Sequence, residues 1–252
     1  MLKRRIIPVE LLHRGRLVKS KEFGAFRDVG DPLKSSQVYN DQDADELLLL
    51  NIDRSNRGCK ETARYLRDIA KKCFMPITAG GGVRTLDDAK LLFDAGCDKV
   101  AINSAAYSDQ GLLSEIAGRW GSQALVISID VSLVEHGKYK PKSECGQKSE
   151  IVDLVTHIQD VIALGAGEII INAIDRDGVM NGYDLSLIEA VRPICSIPLI
   201  VCGGAGNYLH LKQAFDREVN AVACGSLFNF GDNNPLRAKS FLKNYSIPLK
   251  SI

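Results

Sequence analysis

Adding 122 to a residue number in the first half of this chain lands repeatedly on the same residue in the second half. Pro76 maps to Pro198, Gly81-Gly82 to Gly203-Gly204, Phe93-Asp94 to Phe215-Asp216, Val100-Ala101 to Val222-Ala223 and Ser104 to Ser226. The same offset carries Glu46 to Glu168 and Ile52-Asp53-Arg54 to Ile174-Asp175-Arg176. One ungapped offset through so many identities marks a duplicated half. Strands and helices alternate along each half, which demands parallel strands joined by helical crossovers. Two halves of four strand–helix units in 252 residues predict a (β/α)8 TIM barrel with an internal two-fold repeat, residues 1–252 forming one domain. The competing arrangement, an open doubly wound sheet, has less support because such sheets seldom carry a full internal repeat.

Composition narrows the function classes. Apolar content of 45% and charge content of 25% suit a protein with a sizeable core. A net charge of +1, with no basic run, argues against nucleic-acid binding. The seven cysteines form no C-x-x-C pair and are odd in number, so they read as reduced, small apolar residues rather than a metal site. No metal or cofactor is expected. The short apolar run after Lys3-Arg4-Arg5 does not make a signal peptide, and no run of 18 apolar residues exists. The expectation is a cytoplasmic protein without a membrane partner.

The first strand is predicted over 5–12, followed by a long polar loop to Asp31-Pro32 at the end where barrel active sites form. Lys19 and Arg16 on that loop read either as contacts to an anionic ligand or as solvated charges. Strand 5 is predicted over 124–129, ending in Asp130, with a polar insertion from Glu135 through His136 to Lys148 as a hairpin and helix 5 over 150–164. Glycines at the ends of strands 3 and 7 let a backbone approach a ligand. Ser104 and Ser226 follow strands 4 and 8, at helix N-termini that favour phosphate. Glycines that merely make tight turns are the alternative. The duplicated pattern favours two phosphate cradles facing each other across the mouth, near Gly82 with Ser104 and near Gly204 with Ser226, for a phosphorylated small molecule.

These residues carry a resemblance over essentially the whole chain. Arg5-Ile6-Ile7-Pro8, Phe26-Arg27-Asp28-Val29-Gly30-Asp31-Pro32, Ala79-Gly80-Gly81-Gly82-Val83, Asp98-Lys99-Val100-Ala101-Ile102-Asn103, Gly121-Ser122-Gln123 and Ile129-Asp130 match in the first part. Gly165-Ala166-Gly167-Glu168, Ile174-Asp175-Arg176-Asp177-Gly178, Gly182-Tyr183-Asp184 and Gly203-Gly204-Ala205-Gly206 follow in order. The chain resembles the cyclase subunit of imidazole glycerol phosphate synthase, the HisF family. That resemblance implies a heterodimer with a HisH-like glutaminase, ammonia passing through the barrel, and closure of an imidazole ring on a doubly phosphorylated ribonucleotide. It further implies phosphate contacts at Asn103, Asp177 and Gly178, a substrate loop carrying Lys19, and a catalytic role for Asp130.

The family's cyclisation rests on two aspartates, at the ends of strands 1 and 5. Asp130 matches the second; the first position holds Leu11, which neither donates nor accepts a proton. Strand alternation puts Arg5, Ile7, Val9 and Leu11 on one face and Glu10 on the other, so only a bulge would turn Glu10 inward. Asn51, Asn172, Cys202 and Asn229 also stand where the family has other residues. Pro8-Val9-Glu10-Leu11-Leu12 and Gly15-Arg16-Leu17-Val18-Lys19-Ser20 are similar to the WbuZ-type branch. That likeness implies ammonia delivery to an N-acetyl sugar amidotransferase in surface-saccharide biosynthesis. The alternative is the histidine-biosynthetic cyclase, a lyase; a phosphosugar isomerase of the sister barrel family is weakened by Leu11. At the opposite end, Glu46, Lys99 and Glu168 begin strands 2, 4 and 6 beside Arg5. These charges read either as a structural plug or, by the resemblance, as the ammonia gate beneath a docked glutaminase, with Asp98 as a partner contact.

Overall fold

The computed structural model describes residues 3–53, 58–135 and 137–250. Arg54 of the repeated tripeptide and His136 of the insertion lie outside them. Among the described residues, the parallel barrel strands are β1 (Arg5–His13), β2 (Leu47–Asn51), β3 (Ile77–Gly80), β4 (Lys99–Ile102), β5 (Leu125–Glu135), β6 (Glu168–Ala173), β7 (Leu199–Cys202) and β8 (Ala221–Cys224). Neighbours in sequence pair with each other, and β8 pairs with β1 through Arg5↔Ala221, so the sheet closes. Between strands run α1 (Pro32–Asp41), α2 (Gly58–Ala70), α3 (Leu86–Ala95), α4 (Gln110–Trp120), α5 (Leu154–Ala163), α6 (Leu185–Val191) and α7 (Tyr208–Phe215), with α8 (Pro235–Lys243) at the end.

Local chemistry sets the helix ends. Asp31 caps α1 ahead of Pro32, and Thr85 and Asp88 form a reciprocal capping box on α3. Asp153 caps α5, and this is why that helix begins at Leu154 rather than at Glu150 as the sequence pattern suggests. Two other boundaries differ from expectation. The segment after β1 is not an irregular loop: Arg16–Lys19 folds back on β1 and pairs with Arg27–Gly30, an antiparallel ribbon. Strand β5 does not stop at Asp130 but continues to Glu135, pairing with Lys138–Ser143 of the insertion, which is the expected hairpin. In both cases the strand leaves the barrel rim and finds hydrogen-bond partners beyond it.

Side-chain alternation separates two cores. Ile7, Val9, Leu48, Ala101, Val126, Ile170, Ile200, Ala221 and Ala223 fill the barrel interior, while the opposite faces pack under the helices. The register of β1 against β2 runs Val9↔Leu48, Glu10↔Leu49, Leu11↔Leu50 without a break, so no bulge turns Glu10 inward. The duplication is visible in hydrogen bonding. Asp98 accepts from the Ile77 amide at 2.8 Å, and its counterpart Asn220 accepts from the Leu199 amide at 3.0 Å. At the same end Lys239 of α8, 1% exposed, bridges Asp43 at 2.7 Å and Asp45 at 2.8 Å, and Asp45 accepts from the Ile6 amide. The last helix is thereby latched to the starts of the first two strands.

Candidate functional site

The carboxyl ends of the strands open into a cavity of about 1050 Å³. Asp130 lies on its β5 wall, 7% exposed, clamped from both sides. Asn103 donates to one carboxylate oxygen at 2.8 Å and Asn172, its cross-strand neighbour on β6, donates to the other at 2.9 Å. Burial pushes the Asp130 carboxyl up to about 6, and the two amides hold it from rising further. A carboxyl near that value both gives and takes protons close to neutral pH. Asp177, on the loop after β6, is likewise raised by burial to about 6, with the Lys19 charge opposing the rise.

Lys19 is not a solvated loop charge. It is 5% exposed and its ammonium donates to the Val9 carbonyl, reaching the cavity beside Gly225. Burial lowers its pKa, while the fields of Asp177 and Glu10 raise it. Arg16, by contrast, sits outside as the surface-charge alternative has it, half-exposed on Asp28 at 2.8 Å.

Both glycine turns line the cavity. Gly82 (φ +80) and Gly204 (φ +113) hold left-handed backbone, but for different reasons. A Cβ on Gly82 would meet nothing nearer than 3.8 Å, whereas one on Gly204 would fall 2.2 Å from the Gly182 carbonyl. Gly204 is therefore locked against the neighbouring loop after β6, whereas Gly82 has open space beside it. Ser104 and Ser226 line the same cavity, each beside a single short helical turn, Ala105–Ser108 and Ser226–Asn229. Ser104 is exposed and accepts a hydrogen bond from the Glu144 amide at 3.1 Å, tying the insertion hairpin to the first turn. Gly178 lines the cavity beside Asp177.

Leu11 faces the cavity where a carboxylate was sought. Glu10 points out of the barrel, 1% exposed, and accepts from Ser36 of α1 at 2.9 Å. Asn229 is also turned away, its amide on the Tyr39 hydroxyl at 3.3 Å. Asn51 donates to Glu61 at 3.2 Å, and Cys202 faces the cavity with its thiol pKa pushed up by burial. Two cavity residues escape a reading by motif, His13 and Asp53. The signal for His13 is parity, since it is two residues beyond Leu11 on the same face of β1.

Below the apolar interior, Arg5, Glu46, Lys99 and Glu168 form a closed ring. Arg5 contacts Glu46 at 2.6 Å and Glu168 at 2.9 Å; Lys99 contacts the same two carboxylates at 2.9 and 3.0 Å. Thr78 donates to the remaining Glu46 oxygen at 2.6 Å. Asp98 is exposed at this end. Among the described residues no cluster of three or more His, Cys, Asp or Glu could hold a metal ion, and no helix is long and apolar enough to cross a membrane.

Comparison with known proteins agrees with this geometry. A family model described as histidine biosynthesis protein matches residues 5–234. The chain is 39% identical over 246 residues to imidazole glycerol phosphate synthase subunit HisF of Streptomyces coelicolor, covering 98% of each. It is 40% identical over the same length to the subunit of that name from Streptomyces avermitilis, again covering 98% of each. With a family model matching residues 5–234 and relatives 39–40% identical over nearly the whole of both chains, the chain belongs to the HisF family of histidine biosynthesis proteins.

Proposed function

We propose that this chain is the synthase-type subunit of a glutamine amidotransferase, conducting ammonia from a HisH-like glutaminase through the barrel to the mouth, where a phosphorylated ligand binds. The observation that carries the reading is the ring of Arg5, Glu46, Lys99 and Glu168. Desolvating four ionisable side chains is costly, and apolar packing would close a barrel at least as well. A charged ring that interlocks through alternating contacts closes the lower end without filling it with hydrocarbon. In this reading the glutaminase docks around the ring with Asp98 in the contact. The ligand is held by Gly82, Asn103 and Ser104 on one side and by Asp177, Gly178, Gly204 and Ser226 on the other, with Lys19 beside it.

The destination of the ammonia in this proposal is an N-acetyl sugar, through a separate sugar amidotransferase of surface-saccharide biosynthesis. Leu11, with Glu10 turned outward, supports that destination over ring closure. The second reading, the cyclase subunit of histidine biosynthesis, is supported by the name that the relatives carry.

Mixing the chain with a HisH-like glutaminase is expected to give a stable heterodimer and faster glutamine hydrolysis. Lys99→Met is expected to impair glutamine-dependent amidation of the acceptor more than amidation with added ammonium. No binding at micromolar concentrations, together with unchanged amidation by Lys99→Met, would leave only the plug. A second expectation concerns the cradles. Crystals soaked in phosphate should show density near Gly82 with Ser104 and near Gly204 with Ser226. An empty pair of cradles would count against a phosphorylated ligand, and one filled alone would point to a single phosphate.

A further inference from the structure

We infer that His13 and Asp53 form a proton-transfer pair at the rim of the mouth, acting on the ligand beside the first glycine turn. The inference rests on the functional reading above in one respect, that a phosphorylated ligand occupies the mouth. The geometry of the pair is independent of it.

His13 ends β1, and its Nδ1 lies at an ion-pair distance of 2.6 Å from Asp53 Oδ1. Asp53 is held at two further points. Its other oxygen accepts from the Arg14 amide at 2.8 Å, and its own amide donates to Asn51 Oδ1 at 2.8 Å. The turn that follows His13 is fixed as well: Arg14 and Gly15 both hold left-handed backbone, and Tyr65 of α2 donates to the Gly15 carbonyl at 2.9 Å. Phe26 packs on the imidazole at a centroid distance of 4.6 Å. With Nδ1 set against the carboxylate, Nε2 is the nitrogen left for the cavity, which both residues line. An imidazole oriented by a partly buried carboxylate is a usual arrangement for general base catalysis.

Position adds the rest of the argument. In an eight-strand ring β1 and β5 stand on opposite walls, so His13 faces Asp130 across the mouth. Gly81 is packed against the Asn51 carbonyl, which puts the pair next to the Gly81-Gly82 turn. His13 is also two residues beyond Leu11, roughly 6–7 Å farther out along the strand. The acid–base centre is thus moved outward, towards a ligand whose reacting group sits at the rim. In the step itself, Nε2 takes one proton from an N–H or O–H of the ligand while Asp53 balances the imidazolium. The same proton is then handed to a second heteroatom of the ligand, with no other bond made or broken, and the pair ends as it began.

The test uses the full-length protein labelled with ¹⁵N, whose four histidines are resolved by nitrogen correlation spectra and assigned with His13→Gln and, should that variant fold poorly, His13→Asn. Neutral His13 is expected to carry its proton on Nδ1, and Asp53→Asn is expected to abolish that preference. Inorganic phosphate is expected to displace the His13 signals together with the Gly82 amide, leaving those of His157, buried away from the cavity, in place. A proton on Nε2 in the wild type would overturn the inference. So would phosphate that moves the Gly82 amide and leaves His13 untouched, since a purely structural clasp predicts that result. Phosphate that binds nowhere counts against the ligand reading instead, and the tautomer then decides the pair alone.

Discussion

Supplied with saturating ammonium and the doubly phosphorylated aminoimidazole ribonucleotide, this protein is expected to close the imidazole ring about 10²–10⁴-fold more slowly than a relative carrying both carboxylates. The cause is local. Ring formation at the depth of Leu11 and Asp130 needs one group to give a proton and another to take it. The β5 wall supplies Asp130, tuned to about 6 by burial and its two asparagines. The β1 wall at that depth is the hydrocarbon of Leu11, and Glu10 lies behind the strand against Ser36. His13 does not repair this, because it stands one strand repeat farther out. Leu11→Asp alone is expected to recover only part of the rate, since Asn51 and Asn172 hold amides engaged with Glu61 and Asp130. A steady-state cyclase assay decides the matter: turnover close to that of such a relative would sink the argument and with it the preference for a separate acceptor.

Glu10→Gln is expected to stabilise the protein at pH 8 while leaving it unchanged near pH 4. Burial raises the Glu10 carboxyl from 4.5 to about 8, with the Ser36 hydrogen bond and the Lys19 charge opposing the rise. Between those values the folded chain holds a proton that the unfolded chain has lost. Stability therefore falls as pH rises through the window, is lowest above the folded value, and is fully recovered below the unfolded one. A shift of this size corresponds to roughly 3–5 kcal/mol at about 1.4 kcal/mol per unit. The amide keeps an acceptor for the Ser36 hydroxyl and carries no charge. Urea melts of the two proteins across pH 4 to 9 give the comparison; parallel pH profiles would show that Glu10 is ionised or solvated in the folded state.

How much of this was readable from the residues differs between fold and site. The barrel followed from the 122-residue offset because a repeat of four strand–helix units leaves few ways to close. Leu11 and Glu10 could be placed on opposite faces because β1 is regular, and period-2 alternation holds wherever a strand has no bulge. The ring was legible for the same reason, its members being the inward residues at or just before the starts of their strands. Lys19 was undecided by sequence, since nothing in Arg16-Leu17-Val18-Lys19 says that the segment doubles back on β1 and buries the ammonium. The His13–Asp53 pair was not legible because its members come from the ends of two strands, brought together by the register in which β1 pairs with β2. Asn103 shows the opposite limit: it lines the cavity, and its amide serves Asp130, a cross-strand contact that no motif encodes.

Closure of the sheet has a bearing on how the molecule is made. The first strand of the barrel sits between β2 and β8, and β8 is synthesised long after it. Until residue 224 emerges, the growing sheet has a bare edge along β1 and another along whichever strand was completed most recently. Each is a row of main-chain donors and acceptors open to any strand that fits. Because the two halves share a repeat, the edge of a half-finished barrel suits the matching half of another chain nearly as well as its own. Latching of α8 through Lys239 follows once both edges have met. The repeat that lets the sheet close thus also makes partner choice between nascent chains a hazard of synthesis.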